Sequence, residues 1–313
     1  SEFTKFNTKE ETFTYYTEPL TDATKLFDDQ RNLKGQMAAT GFPFDHNGNV
    51  WFSNLLGFYQ LFDDTCKNLS NELFKDTEVK SFNTTIDNNR RAWFSTEEYL
   101  CKYENNSLIN YQLSTFGFDT STSAPIVKFA DKKGNLIISG YYTDKENLRG
   151  FGIAYYYLDF VENSIIQLNI AKEDLTNIYY DFNEDVIERN GNYYFIASNQ
   201  LLVYSLKNQT TKKIALKENY NHLALTPSND IIVYAKGSKT KTIVIVNEED
   251  KPYYKSLLGK GVNKLRVDKD DNYWLASNQG LVRYSQSQIS FRAQDLFTSS
   301  INNLNFSERN YNV

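Results

Sequence analysis

The stretch Asp268-Lys-Asp-Asp-Asn-Tyr-Trp-Leu-Ala-Ser-Asn-Gln-Gly-Leu-Val-Arg-Tyr284 contains the pattern from which the architecture is predicted. Its polar residues 268–272 predict a tight turn, and the aromatic and aliphatic residues 273–276 predict a short β-strand. A second turn is predicted at residues 277–280, where the glycine tolerates a positive φ. Residues 281–284 then alternate apolar and polar side chains, as in a strand with one buried face. The stretch therefore predicts a β-hairpin that is entered through a polar turn.

Weaker copies of this hairpin recur along the chain. The clearest is Asp45-His-Asn-Gly-Asn-Val-Trp-Phe-Ser-Asn-Leu-Leu-Gly57, and others begin at Asp87, Asp131, Glu188 and Pro227. Starts at positions 45, 87, 131, 188, 227 and 268 give spacings of 42, 44, 57, 39 and 41 residues. Most of these spacings lie near the ~40–45 residues of a four-stranded propeller blade, and the long one indicates an insertion. Helical and leucine-rich repeats are excluded because the apolar spacing they need is absent.

We therefore predict an all-β fold, a seven-bladed β-propeller of four-stranded antiparallel blades that forms a single domain over residues 1–313. The blades are expected to start near residues 37, 79, 124, 182, 221 and 262. A terminal blade is expected to combine residues 300–313 with residues 1–17, so that N- and C-terminal strands sharing one blade close the propeller. Such radial packing leaves only short, protected sheet edges.

Composition limits the classes of partner. The chain has 34 basic and 39 acidic residues and no basic stripe, which argues against nucleic-acid binding. No apolar run approaches the ~20 residues of a membrane span, so we expect no membrane insertion by this chain. The 23 tyrosines and 22 phenylalanines are expected mainly to pack between blades, and a minority to stack on sugars. Cys66 and Cys101 fall in neighbouring predicted blades that diverge, which favours free thiols.

Few residues fit a catalytic or metal site. His46 and His222 are the two histidines; the first falls in a predicted turn and the second in a predicted first strand, where it could face the central channel. A hydrogen-bonded structural histidine is the alternative for His222. The Asp268 turn lacks the glycine and glutamate of a calcium loop, and the acidic run Glu248-Glu-Asp250 is expected to be solvated. We therefore expect no enzymatic activity, no cofactor and no metal.

The most irregular segment is Gly140-Tyr-Tyr-Thr-Asp-Lys-Glu-Asn-Leu-Arg-Gly-Phe-Gly152, which lengthens the hairpin of the fourth repeat. Loops longer than a repeat requires often carry function. Tyr141 and Tyr142 can stack on a polar ligand, and Arg149 can donate charge-assisted hydrogen bonds. These three residues and His222 are the predicted ligand-binding residues. The alternative is a hairpin that only packs on a neighbouring blade.

The repeat Asp-x-x-Gly-Asn-x-Trp-x-x-Ser-x-x-Gly-Leu-x-x-Tyr resembles the two-component regulator propeller repeat, most closely at residues 268–284 and 45–62. The resemblance implies an extracytoplasmic sensor region of a bacterial hybrid two-component system, as in Bacteroidetes. It further implies a periplasmic or cell-surface location and a carbohydrate or similar small ligand. Members of the family often have two consecutive propellers, a further β-domain and a membrane helix. An excised fragment, a secreted propeller and a subunit of a larger assembly therefore all stay open.

Three functions are compatible with the predicted propeller. The first and favoured one is non-enzymatic recognition of a small polar ligand, a glycan or a protein through the loops of one propeller face. The second is a scaffold or accessory subunit of a bacterial surface or secretion complex, which docks a protein on such a face. The third is an enzyme, because residues 48–53 are similar to repeats of the streptogramin lyase family. That family depends on a channel-facing histidine and glutamate with magnesium, which two histidines in dissimilar blade positions disfavour.

Overall fold

The computed structural model describes the β-rich part of the chain. The elements within it are β-strands and one short 3₁₀-helix, Leu113–Phe116. The chain divides into two compact units, Ser1–Gln167 and Leu168–Val313, each of which is considered by itself. The described residues are 3–7, 12–16, 49–54, 57–62, 65–69, 82–87, 89, 91–96, 99–105, 107–118, 125–143, 151–171, 175, 186–197, 199–235, 242–256, 262–277 and 280–284.

The first unit contains antiparallel sheets whose strands follow one another in chain order, in the sequence β1-β2, β3-β4-β5, β6-β7-β8-β9 and β10-β11-β12-β13. This up-and-down order needs only short hairpin connections. The strands are β1 (Phe3–Asn7), β2 (Thr12–Tyr16), β3 (Val50–Asn54), β4 (Gly57–Phe62), β5 (Thr65–Asn68), β6 (Phe82–Ile86), β7 (Ala92–Ser95), β8 (Tyr99–Glu104), β9 (Ser107–Gln112), β10 (Ile126–Ala130), β11 (Leu136–Thr143), β12 (Phe151–Asp159) and β13 (Ser164–Gln167).

The second unit repeats the same plan in the sheets β14-β15-β16-β17, β18-β19-β20-β21 and β22-β23-β24. Its cores lie between consecutive sheets, where aliphatic and tyrosine side chains of one sheet pack on those of the next. The strands are β14 (Val186–Arg189), β15 (Asn192–Ala197), β16 (Gln200–Ser205), β17 (Thr210–Ala215), β18 (His222–Leu225), β19 (Ile231–Tyr234), β20 (Thr242–Val246), β21 (Pro252–Ser256), β22 (Lys264–Val267), β23 (Tyr273–Ser277) and β24 (Gly280–Tyr284).

The described strands form six blades of three or four strands, so the prediction of seven four-stranded blades is wrong. The N-terminal strands β1 and β2 pair with each other, from Phe3↔Tyr16 to Asn7↔Thr12, and form a two-stranded sheet within the described residues. Their predicted partner, residues 300–313, lies outside the described residues. The all-β propeller architecture holds, whereas the predicted closure through a shared terminal blade involves residues 300–313 and stays a prediction. A strand pattern at a chain end predicts a hairpin, but it does not specify which sheet receives that hairpin.

The polar turn between the first and second strands of a blade has one recurring construction. A side-chain oxygen at its first position accepts the backbone N–H four residues later, which satisfies a donor that the turn would otherwise leave open. The fourth position takes a positive φ, as in Gly134 (86°) and Asp271 (57°). The pairs are Asp87 with Arg91, Asp131 with Asn135, Thr226 with Asp230, and Asp268 with Asn272, at 2.9–3.0 Å.

The tryptophan of the repeat ties the turn to its strand. The indole Nε1 atoms of Trp93 and Trp274 each donate to Oδ2 of the turn aspartate six residues earlier, at 2.8 Å. A buried hydroxyl further along the second strand then links consecutive blades. Ser95 Oγ accepts the N–H of Val127 at 3.4 Å in the first unit. The repeat residues therefore build and join blades, which leaves the longer loops to carry function.

Candidate functional site

The predicted ligand loop belongs to a two-stranded ribbon that extends beyond its blade. β11 and β12 pair continuously from Leu136↔Leu158 to Thr143↔Phe151. The flanking strands stop earlier, because β10 begins opposite Ser139 and β13 ends opposite Tyr156. The ribbon formed by residues 140–143 and 151–155 therefore continues beyond the flanking strands β10 and β13. It is called the β11–β12 ribbon below. At about 3.3 Å per residue, the four residues of β11 past Ser139 span about 13 Å.

The ribbon distinguishes this blade from the others. Its β11–β12 ladder has eight residue pairs, against three to six between the second and third strands in the described parts of the other blades. The backbones of Tyr141 and Tyr142 lie opposite Ile153 and Gly152. Arg149 lies outside the described residues. The ribbon base is packed, since Ile153, Ala154 and Tyr155 are buried.

His222, the fourth predicted ligand-binding residue, lies in the second unit as the first residue of β18. Its side chain is 2% exposed, and its ring stacks on Tyr234 with centroids 5.1 Å apart and planes at 23°. Tyr234 in turn accepts the N–H of Leu265 from the next blade at 3.3 Å. The imidazole therefore packs within a blade, and its role in ligand binding stays a prediction. The other histidine, His46, lies outside the described residues.

A buried charge network joins the sheets β14–β17 and β18–β21 of the second unit. The Arg189 side chain at its centre is 1% exposed. Its nitrogen atoms donate to Asp250 Oδ1 at 2.6 Å, to the carbonyl oxygens of Val246 at 3.0 Å and Asn229 at 3.3 Å, and to the Tyr194 hydroxyl at 3.1 Å. The guanidinium is thus surrounded by acceptors from two blades.

The environment of Asp250 sets its protonation. Burial by itself would raise the pKa of this carboxyl, but hydrogen bonds from Lys212 and Tyr194 and the charges of Lys212 and Arg189 bring it below the ordinary value. Burial raises the pKa of Tyr194, which donates to the same carboxylate at 3.0 Å. Asp250 therefore stays ionised at neutral pH. The expectation that residues 248–250 are merely solvated fails for Asp250, because its carboxylate faces Arg189.

At two neighbouring groups in the second unit, burial sets the direction of the net pKa shift. Burial raises the pKa of Asp230, whereas the nearby charge of Arg189 acts to lower it. Burial also lowers the pKa of Lys255, and the charge of Asp230 partly compensates. Desolvation thus outweighs charge pairing at both residues.

Sequence reasoning missed this network because Arg189 and Asp250 are 61 positions apart. The one local signal is the turn that contains Asp250. It matches the turn of the repeat, because the N–H of Lys251 donates to Asn247 Oδ1 at 2.9 Å and Asp250 has a φ of 61°.

Three further findings bear on the chemistry of the chain. Among the described residues, no group of three or more His, Cys, Asp or Glu side chains is placed to hold a metal ion. Within the same ranges, no helix has the length and apolar character needed to cross a membrane. Cys101 is a buried free thiol, and burial raises its pKa. The side chain of Cys66 lies outside the described part of the chain.

No family model matches the chain, and no curated protein matches it significantly. Solved structures nevertheless superpose on most of it. The catalytically inactive virginiamycin B lyase of Staphylococcus aureus with quinupristin has a TM-score of 0.59 at 11% identity, over 88% of this chain and 84% of the lyase. This chain has a β-propeller fold.

Two further propellers are comparably similar. The extracellular domain of a putative hybrid two-component system from B. thetaiotaomicron has a TM-score of 0.53 at 12% identity, over 81% of this chain. The match covers 32% of that protein, so this propeller spans about a third of its length. YCF48 bound to D1 peptide has a TM-score of 0.54 at 11% identity, over 80% of this chain and 78% of YCF48. The superpositions establish the shared fold. At identities this low they leave the activity of this propeller open.

Proposed function

We propose that this propeller is a non-enzymatic recognition domain of the extracytoplasmic sensor type, which binds a carbohydrate or another small polar ligand. The observation that carries the proposal is the β11–β12 ribbon, which continues about 13 Å past the inner strand of its blade. The fold shared with the extracellular domain of a hybrid two-component system supports the sensor class. It also supports a periplasmic or cell-surface location, with this propeller as one part of a larger receptor.

The ribbon supplies residue types that suit a sugar. Tyrosine rings stack on the apolar C–H faces of a pyranose, and an arginine donates several directed hydrogen bonds to its oxygen atoms. Tyr141 and Tyr142 are consecutive residues of β11 within the ribbon, and Arg149 belongs to the segment that connects its two strands. The buried ribbon base provides a fixed support for these residues, which lowers the ordering cost of binding.

The packing of His222 supports a non-enzymatic role. A general base must reach the proton that it removes, directly or through one water molecule. The His222 ring is instead buried and stacked on Tyr234, so it is poorly placed to meet a substrate. The likeness to virginiamycin B lyase is a likeness of fold, and the proposal carries no lyase chemistry over to this chain.

A glycan array probed with the purified protein tests the proposal, followed by calorimetric titration of each hit against variants. The double variant Tyr142→Ala with Arg149→Ala should weaken binding at least tenfold, because it removes a stacking surface and a charged donor. The matched control is Tyr253→Ala with Arg266→Ala, which removes an exposed tyrosine and an exposed arginine from the second unit. The control should bind as the wild type does. An array without hits, or hits that are insensitive to the ribbon variant, would refute the proposal.

A protein-docking scaffold is the second candidate function. It is favoured by the shared fold of YCF48, which has been solved with a bound peptide. Purification from the native host distinguishes the two functions. A stoichiometric protein partner together with an absence of glycan binding would favour the scaffold.

A further inference from the structure

Among the described strands, β9 is a sheet edge that lacks the usual protection against pairing. It is the outer strand of the sheet β6–β9 in the described part of the chain, and it pairs with β8 without a register shift from Tyr99↔Gln112 to Glu104↔Ser107. Its sequence, Ser-Leu-Ile-Asn-Tyr-Gln, contains no charge and no proline. Natural sheet edges usually carry lysine, proline or a bulge that prevents pairing with another chain. None of these devices occurs in β9.

The outer strands of other blades carry such protection. β13 is uncharged as well, but it has only four residues. The protective residues are Lys67 in β5, Lys212 and Lys213 in β17, and Pro252 and Lys255 in β21. β9 therefore differs from the other long outer strands in being both long and uncharged.

Both faces of β9 reach solvent. Ser107, Ile109, Asn110 and Gln112 are exposed, and Ile109 is 39% exposed although it is apolar. Successive strand residues point to opposite faces, so exposure at Ile109 and at Asn110 means that each face is open there, while Leu108 and Tyr111 pack on neighbouring cores. A chain added beside β9 could thus place side chains on both faces.

An aromatic groove adjoins one face of this edge. Tyr111, on the same face as Ile109, has its ring 5.0 Å from Phe160 and 5.7 Å from Trp93. Phe160 begins the turn between β12 and β13, and the next residue, Val161, is 82% exposed. Apolar side chains therefore continue from the edge strand onto the turn of the neighbouring blade.

We propose that β9 is the docking strand for an extended segment of a partner polypeptide. The segment adds to the free edge as a further strand and lays an apolar side chain over Ile109 and the Tyr111–Phe160 rings. Main-chain hydrogen bonds then supply affinity, and the groove supplies specificity for alternate side chains. This interaction surface lies beyond the proposed ligand site, because the β11–β12 ribbon occupies the opposite end of β12.

The length of the edge favours a flexible segment over a second folded copy. Two blades meeting edge to edge would touch over about six residue pairs, whereas a stable interface between folded proteins uses about 20–30 residues a side. An extended segment avoids this limit because it pairs with the edge along its backbone and lays the side chains of one face over the groove. The charge at the groove also narrows the choice of segment. Lys102 Nζ lies 5.7 Å from the Trp93 ring and 5.9 Å from the Tyr111 ring, and it is paired with Glu104 Oε2 at 3.2 Å. The groove therefore carries balanced charge, and an uncharged segment fits it best.

A phage library of random nonapeptides, selected on the purified protein, tests this docking strand. Enriched peptides should alternate β-branched or aromatic residues with polar ones and contain little lysine or arginine. Fluorescence anisotropy then measures a synthetic enriched peptide against variants. Ile109→Lys should weaken its binding at least tenfold, because the new charge sits beside the added strand. The matched control, Ile166→Lys, alters an isoleucine of nearly equal exposure, 37%, on the outer strand β13, and should leave binding unchanged.

Hydrogen exchange supplies an independent readout. A bound peptide should slow amide exchange within residues 107–112, because outward-facing N–H groups gain acceptors. Selection without enrichment, equal binding by Ile109→Lys, or protection elsewhere would each overturn the proposal. Light scattering tests whether a second copy binds the edge. A wild-type dimer that becomes monomeric in Ile109→Lys would assign the edge to a second copy and would also overturn the proposal. The Tyr142→Ala and Arg149→Ala double variant should bind the peptide normally, which separates this test from that of the ligand site.

Discussion

Arg189 shows how much a single buried side chain contributes to the packing of two blades. Moving a guanidinium out of water costs several kcal/mol unless acceptors surround it. Here a carboxylate, two backbone carbonyls and a tyrosine hydroxyl provide these acceptors. The acceptors come from both sheets, so the charge can be satisfied only when the sheets are packed in this register. Removing one acceptor should therefore affect the entire junction.

Replacing Asp250 with asparagine should lower the free energy of unfolding by about 3 kcal/mol at pH 7, because it leaves a buried positive charge without its counter-charge. Urea denaturation measures the effect. The neighbouring variant Glu249→Gln is the control, since it breaks an ion pair with Lys251 in which both side chains are exposed. Such surface pairs contribute about 0–1 kcal/mol. Equal losses in the two variants would contradict the assignment of Arg189 as a buried clamp.

The same comparison has a defined pH dependence. The pKa of folded Asp250 lies below its unfolded value of about 3.9. A carboxyl of this kind contributes stability that is complete above the unfolded pKa and is lost as the pH falls through the folded pKa. The stability difference between wild type and Asp250→Asn should therefore be constant from pH 7 to about pH 5 and shrink below about pH 4. A difference that persists unchanged at pH 3 would count against the ion pair.

At the scale of the element, the polar turn explains what the sequence could predict. The Asp268 turn and the strands after it occur where the pattern indicated, with β23 at Tyr273–Ser277 and β24 at Gly280–Tyr284. This success is local in origin, because the aspartate closes the turn through bonds to residues two, four and six positions later. Arg189 lies in β14, which the same reasoning also located approximately. Three of its four acceptors lie 40 to 61 positions away, and no local pattern encodes them.

Gly134 lies in a polar turn of the repeat and Gly117 follows the 3₁₀-helix, and comparing the two distinguishes backbone strain from crowding. Gly134 and Gly117 have φ of 86° and 84°. A Cβ at Gly134 would meet the Arg91 guanidinium, which is held by Asp87, whereas a Cβ at Gly117 would meet nothing within 4 Å. Gly117→Ala should cost about 1 kcal/mol from backbone strain. Gly134→Ala should cost about 2–3 kcal/mol, since strain and overpacking add. Thermal denaturation of both variants checks this, and equal shifts would mean that Arg91 moves aside freely.

At the scale of the whole molecule, the repeat predicted the architecture but not the number of blades. Spacing between copies is a local property of the sequence, and it identified consecutive four-stranded units. Blade number depends on where the terminal strands pair, and within the described residues β1 and β2 form a sheet of two strands. The candidate ligand site was predicted from loop length, since residues 140–152 exceed what the repeat needs. The β9 edge was not predicted from the sequence. Whether a strand lies at the edge of a sheet depends on which other strands pair with it, and the strand's own sequence does not specify this.

Cys101 offers a measure of how cooperatively this molecule opens. Its thiol is fully buried among Trp51, Phe58 and Phe94 at the junction of two blades in the first unit. Burial also raises its pKa, so that few thiolates form even near pH 8. With Cys66 replaced by serine, a thiol reagent should label the native protein at least a thousandfold more slowly than the urea-unfolded protein. A thousandfold factor corresponds to about 4 kcal/mol, which is less than the typical unfolding free energy of about 5 kcal/mol or more.

The dependence of the labelling rate on urea identifies the opening that exposes this thiol. If Cys101 becomes accessible only when the blades separate globally, the rate should rise with the same slope as the equilibrium unfolding curve. A labelling rate independent of urea would instead mean that β8 opens locally. That outcome would also weaken the proposed docking strand, because β9 is held by its pairing with β8 and needs a stable β8 to present a fixed edge.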